Sequence, residues 1–101
     1  MVRHVVMWIF KSEAEGKNKA ENIKYVKSEL EKLPPIIDSI ETLEVGLNFT
    51  DNAAAYDVIL ISTHQSKEIL DQYRKHPDHI KIAGYISKVT EKRVVIDNFS
   101  A

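Results

Sequence analysis

The sequence predicts an α+β domain whose elements follow the order β-α-β-β-α-β. Three observations carry this reading: nearly unbroken apolar runs at 2–10 and 56–63, an apolar–polar alternation at 42–49, and two stretches of helical period, the second cut by Pro77. That order belongs to ferredoxin-like βαββαβ sandwiches, in which helices cover one face of a four-stranded antiparallel sheet.

Residues 2–10 are rich in β-branched and aromatic side chains and stop at the polar Lys11-Ser12-Glu13, as a strand with two buried faces does. Over 18–33, Ile23, Val26, Leu30 and Leu33 recur at helical spacing among lysines and glutamates, so one stripe faces a core and the charged face is solvated. Pro34-Pro35 ends that helix. Leu43, Val45, Leu47 and Phe49 then alternate with Thr42, Glu44, Gly46 and Asn48, the period of a strand with one apolar face, and Asp51-Asn52 supplies a turn. The run at 56–63 is again apolar on both faces. Ser66 is placed to cap a short helix carrying Ile69, Leu70 and Tyr73. A residue before proline avoids the helical region, whereas proline suits the first helical turn. The chain should therefore bend at His76 and restart as a helix to about Lys88. Residues 92–99 form the last strand. Asp57, Asp97 and Glu44 are expected at sheet edges or in solvent.

At 101 residues there is room for one core, so 1–101 reads as one domain. The composition, 44% hydrophobic and 29% charged, is that of a water-soluble globular protein, and no apolar run is long enough to span a membrane. The N-terminus has neither a long apolar core nor a small-residue cleavage site, so a cytoplasmic location is expected rather than secretion. Without cysteine there is no disulfide, thiol nucleophile or thiolate metal site. A net charge of −1, with lysines spread along the chain, argues against a nucleic-acid partner. The glycosylation-like triplets at Asn48 and Asn98 carry no weight in a cytoplasmic chain.

Burial points to self-association. The first strand sets Val5, Met7 and Ile9 on one side and Val6, Trp8 and Phe10 on the other; Ile59, Ile61 and Val58, Leu60 repeat the pattern. Helices cover one sheet face only. A second face this apolar calls for a homodimer packed face to face, unless the last strand or the tails cover it.

Five segments together resemble the stress-responsive dimeric α/β-barrel domain family over nearly the whole length. They are Val2-Arg-His4-Val-Val, Val45-Gly-Leu-Asn48, Tyr56-Asp57, Tyr73-Arg-Lys-His76-Pro-Asp-His79 and Val94-Val-Ile-Asp97. The resemblance implies a homodimer whose two sheets form a barrel, with a cavity between each sheet and its helices. One plant member of that family is a polyketide cyclase working by aldol condensation without a cofactor. Its proton-moving tyrosine and histidine fall on Tyr73 and His79, and its first-strand histidine on His4. Most relatives have no assigned reaction.

These residue types suit proton chemistry near neutral pH. His79 falls in the first turn of the helix begun by Pro77, where the helix dipole favours a neutral, proton-accepting ring, while Asp78 pulls the other way. Tyr73 is placed to donate to a carbonyl oxygen as charge develops there, and His4 to orient either group. Val6, Trp8 and Phe10 share the face of His4 and suit the wall of a small-molecule pocket, with His76 a further contact at the corner.

Each residue also has a structural reading. A histidine before proline caps or fills a corner, and a tyrosine on an amphipathic helix is commonly core. The His-Pro break spoils same-face spacing for a metal pair, so neither a metal nor a cofactor is expected. The functional reading is a homodimeric α/β-barrel protein of unassigned activity with a small-ligand cavity. The alternative is a cofactor-independent lyase or cyclase acting on a carbonyl compound; a cofactorless monooxygenase is a weaker one, resting on the shared barrel alone.

Overall fold

The computed structural model describes residues 1–100. In chain order the elements are β1 (Val2–Phe10), β2 (Glu13–Ala14), β3 (Lys17–Asn18), α1 (Lys19–Glu31), β4 (Thr42–Leu47), β5 (Val58–His64), α2 (Lys67–Lys75), α3 (Pro77–Val89) and β6 (Thr90–Phe99). The main sheet is antiparallel in the order β4-β5-β1-β6, with the helices on one face. The ferredoxin-like architecture read from the sequence is the one observed.

Alternation along the two central strands makes the core. Val2, His4, Val6, Trp8 and Phe10 of β1 face the helices with Val58, Leu60, Ser62 and His64 of β5, all buried. Val26 and Leu30 of α1, Leu70 and Tyr73 of α2, and Ile82, Ile86 and Val89 of α3 pack against them. Fully burying one such aliphatic side chain stabilises the fold by roughly 1.5–3 kcal/mol. At α1, Asn18 and Glu21 form a reciprocal capping box.

The α2–α3 corner follows from Pro77. His76 has extended backbone (φ −64°, ψ 134°), ends α2 and caps α3, its Nδ1 accepting from the Asp78 N–H at 3.1 Å. Pro77 then opens α3, where its missing N–H removes no helical bond.

Four details differ from expectation. A two-stranded hairpin, β2–β3, lies between β1 and α1; Glu15 (φ 52°) and Gly16 (φ 74°) both turn left-handed, as a two-residue hairpin requires. Buried Asn22 ties it to α1 by donating to the Ala14 carbonyl at 3.0 Å. Next, β4 stops at Leu47, and Phe49 lies beyond it, 98% exposed, because the chain leaves the sheet before the alternation ends. Asp57 is not solvated at an edge but accepts the Phe10 N–H at 2.8 Å and pairs with Lys19. Finally, β6 begins at Thr90, and a register shift at Ile9/Phe10 absorbs the early start.

The other sheet face carries Val5, Met7 and Ile9 of β1, Ile59 and Ile61 of β5, and Val94 and Ile96 of β6. Register places Val5 beside Ile61 and Ile96, and Met7 beside Ile59 and Val94. Gly46 is fixed by this layer, since a Cβ there would stand 2.9 Å from Ile59 Cγ2. The last strand does not fold over the face. It extends the sheet as an edge strand, leaving Val94, Val95 and Ile96 exposed.

Candidate ligand cavity

A cavity of about 260 Å³ lies between the sheet and helix α3. Its floor is His4, Val6 and Trp8 of β1 with Leu60 of β5; Tyr73, His79, Ile82 and Ile86 stand in the walls, and Ser87, Thr90 and Arg93 are among the other lining residues. Of the residues singled out from the sequence, His4, Val6, Trp8, Tyr73 and His79 line it. Phe10 and His76 do not. Phe10 is sealed in the core, and His76 is turned to the backbone of α3 as its cap.

Tyr73 stands at the centre of the polar end. Its ring centroid is 4.4 Å from that of His79, 4.9 Å from His64 and 6.1 Å from His4. The helical break lets Tyr73, in the last turn of α2, and His79, in the first turn of α3, converge although six residues apart in sequence. Two buried polar atoms have no hydrogen-bond partner among the described residues: the Tyr73 hydroxyl and the Trp8 indole N–H. Both residues line the cavity. A buried donor left unmatched costs roughly 1–3 kcal/mol; both atoms are fully buried, so a ligand oxygen meets them only where the side chains shift.

The imidazoles are held in defined tautomers by their partners. His4 Nδ1–H donates to Asp97 Oδ1 at 2.5 Å, and Arg74 Nη2 donates to the other oxygen of the same carboxylate. His79 Nδ1–H donates to the Arg74 carbonyl at 3.1 Å. In both rings Nε2 is thereby the accepting nitrogen. His64 Nδ1–H donates to the Ser39 carbonyl at 2.7 Å, and its Nε2 accepts from the Ser62 hydroxyl at 2.9 Å, so that ring has no free valence.

Burial is the largest influence on all three histidines and holds each below the ordinary value of 6.5. For His79 the shift comes first from burial and favours the neutral ring. Burial likewise pushes the Tyr73 phenol up to about 12, keeping it a proton donor. At Asp97 burial acts upward, but the His4 and Arg74 bonds outweigh it and hold the carboxyl below its usual value. Hence the His4–Asp97 contact is a neutral imidazole donating to a carboxylate.

Asp97 lies on the edge strand β6 and is exposed, as expected, but its carboxylate also fixes His4, a role the sequence reading did not give it. The pairing of His4 with Asp97 across β1 and β6 places it there, and strand register between segments this distant is not legible from one sequence. Arg74, His64 and Arg93 were also passed over, although Arg74 stands inside the Tyr73–His79 segment. Among the described residues no three His, Asp or Glu side chains converge as a metal would require.

A larger groove of about 500 Å³ opens on the other side of the sheet, between Met7, Gly46 and the loop before Val58. It is shallow and contains neither of the unmatched buried donors.

Solved structures similar to this chain share its fold throughout. A dimeric protein of unknown function from Bacteroides fragilis, with a ferredoxin-like fold, is 25% identical with a TM-score of 0.85, over 96% of this chain and 93% of that one. A protein of Arabidopsis thaliana is 26% identical with a TM-score of 0.84, over 100% of this chain and 96% of that one. Hydroxynitrile lyase from Passiflora edulis is 21% identical with a TM-score of 0.81, over 96% and 90% of the two chains, a likeness of fold. No curated protein matches the sequence. The family model for the stress-responsive A/B barrel domain matches residues 2–100, and the chain belongs to that family.

Proposed function

We propose that the protein is a homodimer that holds a small oxygen-bearing ligand in the cavity between its sheet and α3. The observation that carries this is a cavity lined by Tyr73 and Trp8, the two residues whose buried side-chain donors are unmatched. A volume of about 260 Å³ lies just below the roughly 300–1,000 Å³ usual for drug-sized ligands, so the ligand is small. Self-association is supported by the apolar outer face around Met7 and Ile61, and by the dimeric state named for the Bacteroides fragilis structure. The absence of cysteine suits a cytoplasmic setting.

Chemical-shift mapping with small aryl-alkyl ketones and acids tests this. Perturbations are expected at His4, Trp8, Tyr73 and His79. Perturbations confined to the groove by Gly46 and Asn48 would overturn it.

A second reading, proton transfer on a carbonyl compound, is favoured by one observation: neutral His79 adjoins a phenol that keeps its proton. In it, Nε2 of His79 takes the proton α to the carbonyl while the Tyr73 hydroxyl donates to the carbonyl oxygen, so the developing enolate forms as a hydrogen-bonded anion. Carbon–carbon bond formation or cleavage then follows without a cofactor, as in a lyase or cyclase. The Asp97–His4 pair supports the site from the strand side. Exchange of α-hydrogens of a bound ketone for deuterium, lost in His79→Ala, tests this second reading.

A further inference from the structure

One end of the cavity carries a positive charge and no counter-charge. Arg93 stands opposite Trp8 in the β1–β6 register, on the same sheet face, and lines the cavity with Ser87 and Thr90. No Asp or Glu contributes to that lining. Asp97, four residues along β6, is engaged by His4 and Arg74, and Arg93 itself has no ion-pair partner among the described residues. The neighbouring hydroxyls turn inward: Ser87 Oγ donates to the Gly84 carbonyl and Thr90 Oγ1 to the Ile86 carbonyl, each at 2.8 Å. The Arg93 guanidinium is the charged group at this end, and the Trp8 N–H is its unmatched donor.

We infer that the ligand is a small carboxylic acid bound as its anion, with its carboxylate against Arg93 and the Trp8 indole and its apolar body on Val6, Leu60, Ile82 and Ile86. The inference rests on the cavity being a ligand site and adds the ligand's charge. An amine would meet a like charge here, whereas a carboxylate meets a planar, fork-shaped donor and a second N–H. No lysine joins Arg93 in the lining, so the single positive charge matches a monoanion rather than a phosphate.

Trp8 is the chain's one tryptophan, so its fluorescence reads the site directly. The intact protein is titrated with 4-phenylbutyrate and with 4-phenylbutyramide, which keeps the body and loses the charge. The acid is expected to bind at least about fivefold tighter at low salt, with the gap narrowing at about 0.5 M salt. Arg93→Gln should abolish the gap and Arg93→Lys should keep part of it, with both variants folded, since the Arg93 side chain is exposed. Equal affinity of acid and amide for wild type, or a preference that survives Arg93→Gln, overturns the inference and leaves the cavity reading standing. Silence towards both probes sinks the two together.

Discussion

The rings of Tyr73 and His79 stand 4.4 Å apart across the α2–α3 corner, yet the Tyr73 hydroxyl has no protein partner. His79 cannot supply one through Nδ1, because that nitrogen donates to the Arg74 carbonyl. The corner thus presents an unmatched phenol beside a neutral imidazole, and Pro77 makes the convergence possible by separating the two helices.

Tyr73→Phe should leave folding intact. Removing a buried hydroxyl without a partner relieves its desolvation cost, so the stability read from urea unfolding should hold or rise by up to about 1 kcal/mol. Ligand affinity should fall roughly fivefold to tenfold, the worth of one hydrogen bond of about 1–1.5 kcal/mol. A stability loss of several kcal/mol, as in packed cores, would instead mark Tyr73 as structural filler.

Asp97→Asn should loosen His4 without emptying the core. The carboxylate raises the His4 pKa by hydrogen bond and by charge, so its removal should lower that value further, as read by NMR titration of the ring. Its side chain is a third exposed, and solvent screening limits the stability cost to about 1 kcal/mol. An unchanged His4 titration contradicts the assignment.

Stability should depend on pH in a stated window. His4, His64 and His79 have folded values below 6.5, chiefly through burial, so between 6.5 and those values the unfolded chain binds more protons. Stability is full above that window, falls as pH drops through it, and loses nothing more from these groups below it. Asp97 adds a separate loss as pH falls below 3.8. Urea midpoints at about pH 7.5 and about pH 5.5 check the first step; equal midpoints contradict it.

The outer sheet face should be intolerant of charge. Met7→Asp would bury an unpaired carboxylate in a dimer and is expected to give monomer or aggregate by sedimentation velocity. Lys27→Ala removes only a helical i,i+4 pair with Glu31 and should change stability by less than about 0.5 kcal/mol. Wild type sedimenting as a monomer at micromolar concentration counts against the dimer.

What the sequence revealed depended on how local the signal was. The apolar run of β1, the Ser66 cap and the Pro77 break are written in adjacent residues, and each stands where expected. So does the sharing of one face by His4, Val6 and Trp8. The β2–β3 hairpin was missed because two-residue strands carry no period, and only Gly16 marked the turn. Asp97 and Arg93 were missed because their place depends on the register of β6 against β1, set by tertiary pairing. His76 takes the capping role weighed beside its ligand-contact reading: the bond needs only local backbone, and that claim on Nδ1 removes it from the cavity.

The account rests on the cavity with its two unmatched donors, and the indole N–H of Trp8 is the most direct reporter of it. In ¹⁵N-labelled protein the single indole resonance should shift progressively and saturably as 4-phenylbutyrate is added, with the backbone amides of Tyr73 and His79 following the same isotherm. Saturable binding by calorimetry that leaves the indole resonance unmoved would place the ligand elsewhere and contradict the account.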